Sequence, residues 1–136
     1  MEMCCGGDLH SVIHGTQRVV RCIEDDMLNV MAQLFSAVVF LHAHEIVHRD
    51  IKPANVMIAN AFDLNISFDG MDVKLGDFGI ACACPEGSRI HDFAGTPEFA
   101  APECFLEDVG YDRQADVWSC AAVMSDICCA LKPDPA

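Results

Sequence analysis

The stretch His48-Arg49-Asp50-Ile51-Lys52-Pro53-Ala54-Asn55 puts an aspartate, a lysine and an asparagine inside six consecutive positions. An ionised carboxylate accepts protons and hydrogen bonds. An ammonium is a compact point charge, and a carboxamide offers a neutral oxygen as well as two donors. Pro53 in the middle of the run argues against a helix interior or a central strand, so the three groups sit on a loop. Base, cation and amide on one tight stretch of backbone are a set suited to handling a charged, transferable group.

The neighbouring elements must hold that loop. Met27, Val30, Met31, Leu34, Val38 and Leu41 recur at helical spacing, and Glu24-Asp25-Asp26 put negative charge where a helix N-terminus favours it. A helix over 24–43 with one buried face follows. Upstream, Gly6-Gly7 reads as a turn and Asp8 as the N-cap of a short helix reaching about His14. Val56-Met57-Ile58 and Val73-Lys74-Leu75 read as short strands flanking the loop on its C-terminal side. Between them Phe62, Leu64, Ile66 and Phe68 alternate with polar residues up to Asp69-Gly70, a hairpin signal. Asp63, Asn65, Ser67 and Asp69 imitate a calcium loop, but its glycine would be needed two positions earlier and position twelve would be Lys74. Asn65-Ile66-Ser67 is a glycosylation triplet in a chain with no sign of secretion. Residues 79–103 read as a long loop, and long ordered loops are often functional. Asp116 to Leu131 is apolar nearly all round, the pattern of a buried helix with Trp118 in the core.

Composition bounds the partners. The chain of 136 residues is 52% apolar with a mean hydropathy of +0.26, enough to build a core. A net charge of −13 argues against a nucleic-acid backbone or an anionic lipid surface and is compatible with a basic protein partner. No apolar run approaches the length of a membrane span, and the first ten residues do not read as a signal peptide. Nine cysteines, an odd number with no Cys-x-x-Cys pair, read as reduced thiols of a cytoplasmic or nuclear protein. A zinc site at Cys82, Cys84 and His91 lacks a second ligand pair at suitable spacing.

HRDIKPAN resembles the catalytic loop of protein kinases, H-R-D-x-x-x-x-N. Asp77-Phe78-Gly79 resembles the metal-binding motif, Ala101-Pro102-Glu103 the close of the activation segment, and Asp116-Val117-Trp118-Ser119 the start of the helix that follows it. "MEMCCGGDL" is similar to the hinge. The order of the motifs is the family's order, and the resemblance covers essentially the whole chain. It implies an α+β fold: the mainly helical large, C-terminal lobe of a kinase, truncated, with short β-hairpins around the catalytic loop. Residues 1–136 would form one partial kinase domain.

The resemblance also implies ATP-dependent phosphotransfer with Mg2+. Asp50 would accept or orient the substrate hydroxyl proton, and Lys52 would reach the transferring phosphate. Asn55 and Asp77 would hold the metal. Glu2, Cys4, Asp8 and Met57 would line the nucleotide site together with Lys52, Asn55 and Asp77. Lysine two residues after the aspartate, and "GTPEFAAPE" from Gly95 to Glu103, are similar to the serine/threonine type. There Thr96 would hydrogen-bond Asp50 and Lys52. His48 and Phe78 would be packing residues, and Asp116 would accept backbone N–H groups of the catalytic loop. Arg49 would pair with a phosphate on the activation segment, at a position where this chain has Asp92; Ser88 is the only hydroxyl of the segment before Thr96 and the alternative switch. His10, His14, His42 and His44 show no partner constellation. A Gly-rich loop, a strand lysine with its helix glutamate, and the last helices of the lobe are not in the sequence. It therefore reads as a fragment of an active kinase, with a non-catalytic binding or scaffold module as the alternative.

Overall fold

The structure is a computed structural model and describes residues 4–15, 24–60 and 70–130. The expected hairpin of residues 62–69, and Glu2 of the expected nucleotide site, lie outside the described residues.

Three helices carry the fold: α1 (Leu9–His14), α2 (Glu24–Ala43) and α3 (Gln114–Ala130). Asp8 caps α1 by accepting the Ser11 N–H at 2.8 Å. Helix α2 buries Val30, Met31, Leu34, Val38 and Leu41, the stripe its spacing predicts. It ends as His44 and Glu45 donate back to the carbonyls of Leu41 and His42, with Glu45 in the left-handed region at φ 58. Over Asp25–Ala43 the helix is long and apolar enough, by length and composition, to cross a membrane, which qualifies the expectation of no such run. It packs on α3 and on the strands along its buried stripe, as a core helix does.

Four short strands follow: β1 (Ile46–Val47), β2 (Val56–Ile58), β3 (Val73–Leu75) and β4 (Cys82–Ala83). β2 pairs antiparallel with β3, Val56 opposite Leu75 and Ile58 opposite Val73; β1 pairs antiparallel with β4. Gln33 of α2 fastens β3, donating to the Met71 carbonyl at 2.9 Å and accepting the Val73 N–H at 2.9 Å. The chain before α1 is laid on β2 by the Gly6 N–H to Ile58 carbonyl bond, and a Cβ at Gly6 would collide with the Ile58 side chain.

Two clusters make the core. The larger joins Leu9, Val30, Leu34, Val38, Ile51, Val56, Ile58, Cys120, Val123 and Ile127. The smaller gathers Val47, Cys84, Ile90, Ala101, Cys104, Tyr111 and Ala115 beneath the long loop. The loop of 79–103 is ordered by β4, by an isolated bridge from Ile90 to Tyr111 and by short 3-10 turns at Pro97–Phe99 and Pro102–Phe105.

α3 departs from expectation. It buries one stripe, Ala115, Asp116, Ser119, Cys120, Val123 and Ile127, while Val117, Met124 and Trp118 are exposed, Trp118 at 51%. An all-round apolar composition says that a helix can be buried; among the described residues, elements pack on only one side of this one. Trp118 is not in the core.

Candidate active site

The loop of residues 48–55 leaves β1 and enters β2 through the 3-10 turn Pro53–Asn55. Its start is unusual backbone: Arg49 has φ 70, a region that non-glycine residues seldom occupy. Asp116, buried in the first turn of α3, holds it, accepting the His48 N–H at 2.9 Å and the Arg49 N–H at 3.0 Å. His48 is fully buried; its Nε2 donates to the Gly76 carbonyl at 2.9 Å and its Nδ1 accepts the Asp50 N–H at 3.2 Å. Phe78 meets the His48 ring edge-on at 5.0 Å, although about half of Phe78 is exposed. His48 thus packs, as expected, and also ties the loop to the strand that ends before Asp77.

Asp50 and three side chains around it close into one network. Thr96 Oγ1 donates to Asp50 Oδ1 at 2.6 Å and accepts from Lys52 Nζ at 2.7 Å. Lys52 Nζ lies 3.1 Å from Asp50 Oδ2. Asn55 Nδ2 donates to Asp50 Oδ2 at 3.0 Å and to the Asp50 carbonyl at 2.8 Å. Burial of Asp50 works to raise its pKa, but the hydrogen bonds from Thr96 and Lys52, the Lys52 charge and the Asn55 amide outweigh it and hold the carboxyl below its ordinary value. The group is therefore a carboxylate at neutral pH, its oxygens met by hydroxyl, ammonium and amide donors.

Thr96 reaches this cluster because Gly95 has φ +111 and no side chain; a Cβ there would collide with the Arg49 carbonyl oxygen. Backbone of the long loop and backbone of the 48–55 loop touch at this point. Gly95 carries no signal in the sequence beyond its place beside Thr96, and it was not among the expected site residues.

Asp77 is exposed, with φ 58, and its Oδ1 accepts the Gly79 N–H at 3.2 Å. It follows Gly76, whose N–H donates to the Asn55 carbonyl at 2.8 Å, so the backbones bearing Asn55 and Asp77 are directly linked. The amide donor of Asn55 is committed to Asp50, which leaves its oxygen as an acceptor; with the Asp77 carboxylate this is a pair of hard oxygens. Magnesium is commonly held by one or two such side chains together with phosphate oxygens and water, so the donor set fits. Among the described residues no group of three or more His, Cys, Asp and Glu could hold a metal. Cys84 instead meets Ser88, and His91 Nδ1 donates to the Glu107 carbonyl.

The expected nucleotide side is less closely knit. Cys4 and Met57 are half-buried, and Asp8 and Met57 are joined by a backbone bridge. Both oxygens of Asp8 are engaged by Ser11, at 2.8 to 3.1 Å, so Asp8 acts first as a cap.

Arg49 makes a second network. Its Nε donates to the Ile80 carbonyl at 2.7 Å, and its Nη1 lies 2.9 Å from Asp92 Oδ2 and 3.5 Å from the Tyr111 hydroxyl. Tyr111, the single tyrosine, is buried and donates to the Asp92 carbonyl at 2.9 Å. Burial works to lower the pKa of Arg49; its bonds to Tyr111 and Asp92 more than reverse this. Arg49 in turn holds Asp92 below the usual carboxylate range.

The protein kinase domain family matches residues 1–135 of the sequence. The chain belongs to that family. Among curated proteins it is 33% identical over 115 residues to the human phosphorylase b kinase gamma catalytic chain, liver/testis isoform, covering 81% of this chain and 26% of that one. It is 31% identical over 135 residues to calcium-dependent protein kinase 5 of Plasmodium berghei, covering 98% and 22%. A serine/threonine-protein kinase of Drosophila persimilis is 36% identical over 133 residues, covering 98% and 16%. The chain spans about a quarter of the length of the first of these relatives.

The histidines correct the expectation that they lack partners. His14 Nε2 lies 2.9 Å from Asp126 Oδ2, His44 Nδ1 donates to the Phe40 carbonyl at 2.8 Å, and His42 Nε2 lies 2.9 Å from Asp116 Oδ2. Imidazoles at helix ends gave no sign in sequence of partners up to 112 residues away.

Proposed function

We propose that the protein carrying this segment transfers the terminal phosphoryl group of ATP to serine and threonine hydroxyls of protein substrates. One observation carries the reading: Asp50 Oδ1 accepts a hydroxyl, that of Thr96, while Lys52 donates to the same oxygen of Thr96. Phosphoryl transfer asks mainly for positioning and for charge neutralisation.

The steps follow from the side chains. Asp50, an anion fixed by Asn55 and Lys52, orients the incoming hydroxyl and takes its proton as the new P–O bond forms and the bond from the terminal phosphorus to its bridging oxygen breaks, releasing ADP. The Lys52 ammonium neutralises charge on the phosphoryl oxygens. Asn55 and Asp77 are the residues that would hold Mg2+, which would supply neutralisation of phosphate charge when bound. Glu2 and Cys4, through their backbone, with Asp8 and Met57, would line the adenosine end. The negative charge of the chain favours basic protein substrates. Residues 1–136 are read as the large-lobe part of a kinase domain, from hinge to the helix after the activation segment.

Asp92 supplies the regulatory part of this reading. Its carboxylate stands against Arg49 where a phosphate would serve as the clamp in a phosphorylation-switched kinase, so the long loop is ordered without modification. With one negative charge and an exposed position, it is the weaker clamp.

The deciding experiment supplies the full-length protein with γ-labelled ATP, Mg2+ and peptides bearing serine, threonine or tyrosine. Label on serine or threonine, lost on Asp50→Asn, is the expected result. Nucleotide binding with no transfer to any peptide would replace this reading with that of a binding module.

A further inference from the structure

The stretch 90–93 of the long loop is fastened residue by residue to the segment 105–111. Ile90 and Tyr111 exchange both backbone hydrogen bonds, at 2.8 and 2.9 Å. The Tyr111 hydroxyl donates to the Asp92 carbonyl at 2.9 Å, and the rings of Phe93 and Phe105 stack 4.8 Å apart. His91 adds a side-chain bond to the partner backbone: its Nδ1 donates to the Glu107 carbonyl at 2.8 Å.

The turn at 106–110 prepares that acceptor. Its N–H groups at Val109 and Gly110 both donate to the Leu106 carbonyl, at 3.0 Å each, which leaves the next carbonyl, that of Glu107, to the imidazole. Gly110 seats the ring. It stands at φ +67, and a Cβ there would lie 2.8 Å from His91 Cε1 and 3.0 Å from Nδ1. A side chain at position 110 would therefore push the ring off the carbonyl.

The placement of this latch matters because of what adjoins it. Asp92, the next residue, pairs with Arg49 through a carboxylate whose side chain is 73% exposed. An ion pair so open to water restrains a loop only weakly. Four residues beyond His91, Gly95 packs its backbone on the Arg49 carbonyl, and Thr96 then reaches Asp50. Anchoring position 91 removes conformational freedom from Asp92 before the pair forms, so the single charge is enough to keep the loop in place.

We propose that His91 is a positioning residue for phosphotransfer: its Nδ1–H latches the long loop to the 106–110 turn, and so keeps Asp92 against Arg49 and Thr96 against Asp50 without modification of the chain. His91 touches no reacting atom. The kinetic consequence rests on the phosphotransfer reading and deepens its regulatory part; the latch itself does not depend on it.

The test uses the full-length protein, treated beforehand with a phosphatase, with His91→Leu, which lacks a donor, and His91→Asn, whose Nδ2 offers an N–H at the reach of Nδ1. Treated wild type is expected to keep its activity. His91→Leu is expected to lower kcat/KM for a serine peptide by about fivefold, as for loss of one neutral hydrogen bond, with KM for ATP within about twofold. His91→Asn is expected to stay within about twofold of wild type. In parallel, hydrogen exchange at the Ile90 and Tyr111 amides should quicken by about fivefold in His91→Leu and return towards wild type in His91→Asn. A packing role alone predicts the opposite order, because leucine is larger and more apolar than asparagine. If His91→Leu does not fold, His91→Ala replaces it under the same criteria. Equal kcat/KM in the donor-lacking and donor-bearing variants, unchanged exchange at the two amides, or a wild type active only before phosphatase treatment overturns the proposal. A wild type that transfers no phosphate either before or after treatment refutes the phosphotransfer reading instead, and the exchange comparison still decides whether His91 latches the loop.

Discussion

Thr96→Val removes the one atom that touches both Asp50 and Lys52 while keeping the shape of the side chain. The hydroxyl donates to a carboxylate at 2.6 Å and accepts from an ammonium at 2.7 Å. Hydrogen bonds to charged groups contribute about 1.5–3 kcal/mol each when desolvated. Here the Asp50 and Lys52 side chains keep 13% and 26% of their exposure, with Lys52 the wetter of the two, so the lower end applies. One such bond is worth about tenfold in rate and both together up to about a hundredfold, if the loss falls on the transition state. The expected result in the full-length kinase is therefore a fall in kcat/KM of about 10- to 100-fold, with Thr96→Ser within about threefold of wild type. Loss of the Thr96 bond also raises the Asp50 pKa, because of all the groups around Asp50 the Thr96 hydroxyl does most to hold it down against burial. Asp50 acts as the anion, so activity depending on it is present above its pKa and lost as pH falls through it; in Thr96→Val that acid limb moves to higher pH. The assay is kcat/KM for a serine peptide between about pH 4 and 8 at saturating ATP, with a melting curve for each variant. A Thr96→Val enzyme within about twofold of wild type, or an acid limb that stays in place, would refute the reasoning.

Three further outcomes follow from the same geometry. Asp50→Asn should abolish nearly all phosphotransfer while nucleotide affinity changes little, and a variant keeping more than about a tenth of kcat would remove Asp50 from its role. Asp92→Ala should lower kcat/KM by loosening Arg49, whereas Ser88→Ala should leave it near wild type; steady-state kinetics giving the reverse order would show that Ser88 is the regulated position. Gly95→Ala should cost about 1–2 kcal/mol in backbone strain alone, before the clash with the Arg49 carbonyl, and lower both melting temperature and kcat. A calorimetric scan matching wild type would show that the long loop can stand away from the catalytic loop.

What could be read in advance divides by distance along the chain. Asp50, Lys52 and Asn55 share one short turn, so their spacing alone nearly determines that they meet. Helices α1 and α2, with Asp8 as cap, followed from local chemistry in the same way. Thr96 joins from more than forty residues away, and it was assigned through the likeness of its surroundings to kinase sequences, not through any local rule. The pairing of Asp92 with Arg49 was legible for the same reason. His42 was not legible, because an imidazole at a helix end looks alike whether it faces water or a buried carboxylate. Trp118 was misjudged for a related reason: composition tells how apolar a helix is, not which of its sides has a neighbour. Tyr111, fastening Asp92 from below, carried no local signal beyond its rarity.

The amide of Gln33 does for β3 what another strand would do. β3 pairs with β2 on one side, and the Met71 carbonyl and Val73 N–H face the other way, where Gln33 supplies both an N–H and an oxygen. A ribbon of two three-residue strands would otherwise present a raw edge, and raw edges recruit extended segments from neighbouring molecules. One side chain on a helix closes this edge to such additions, in a chain whose next strand in sequence, β4, lies in a different sheet.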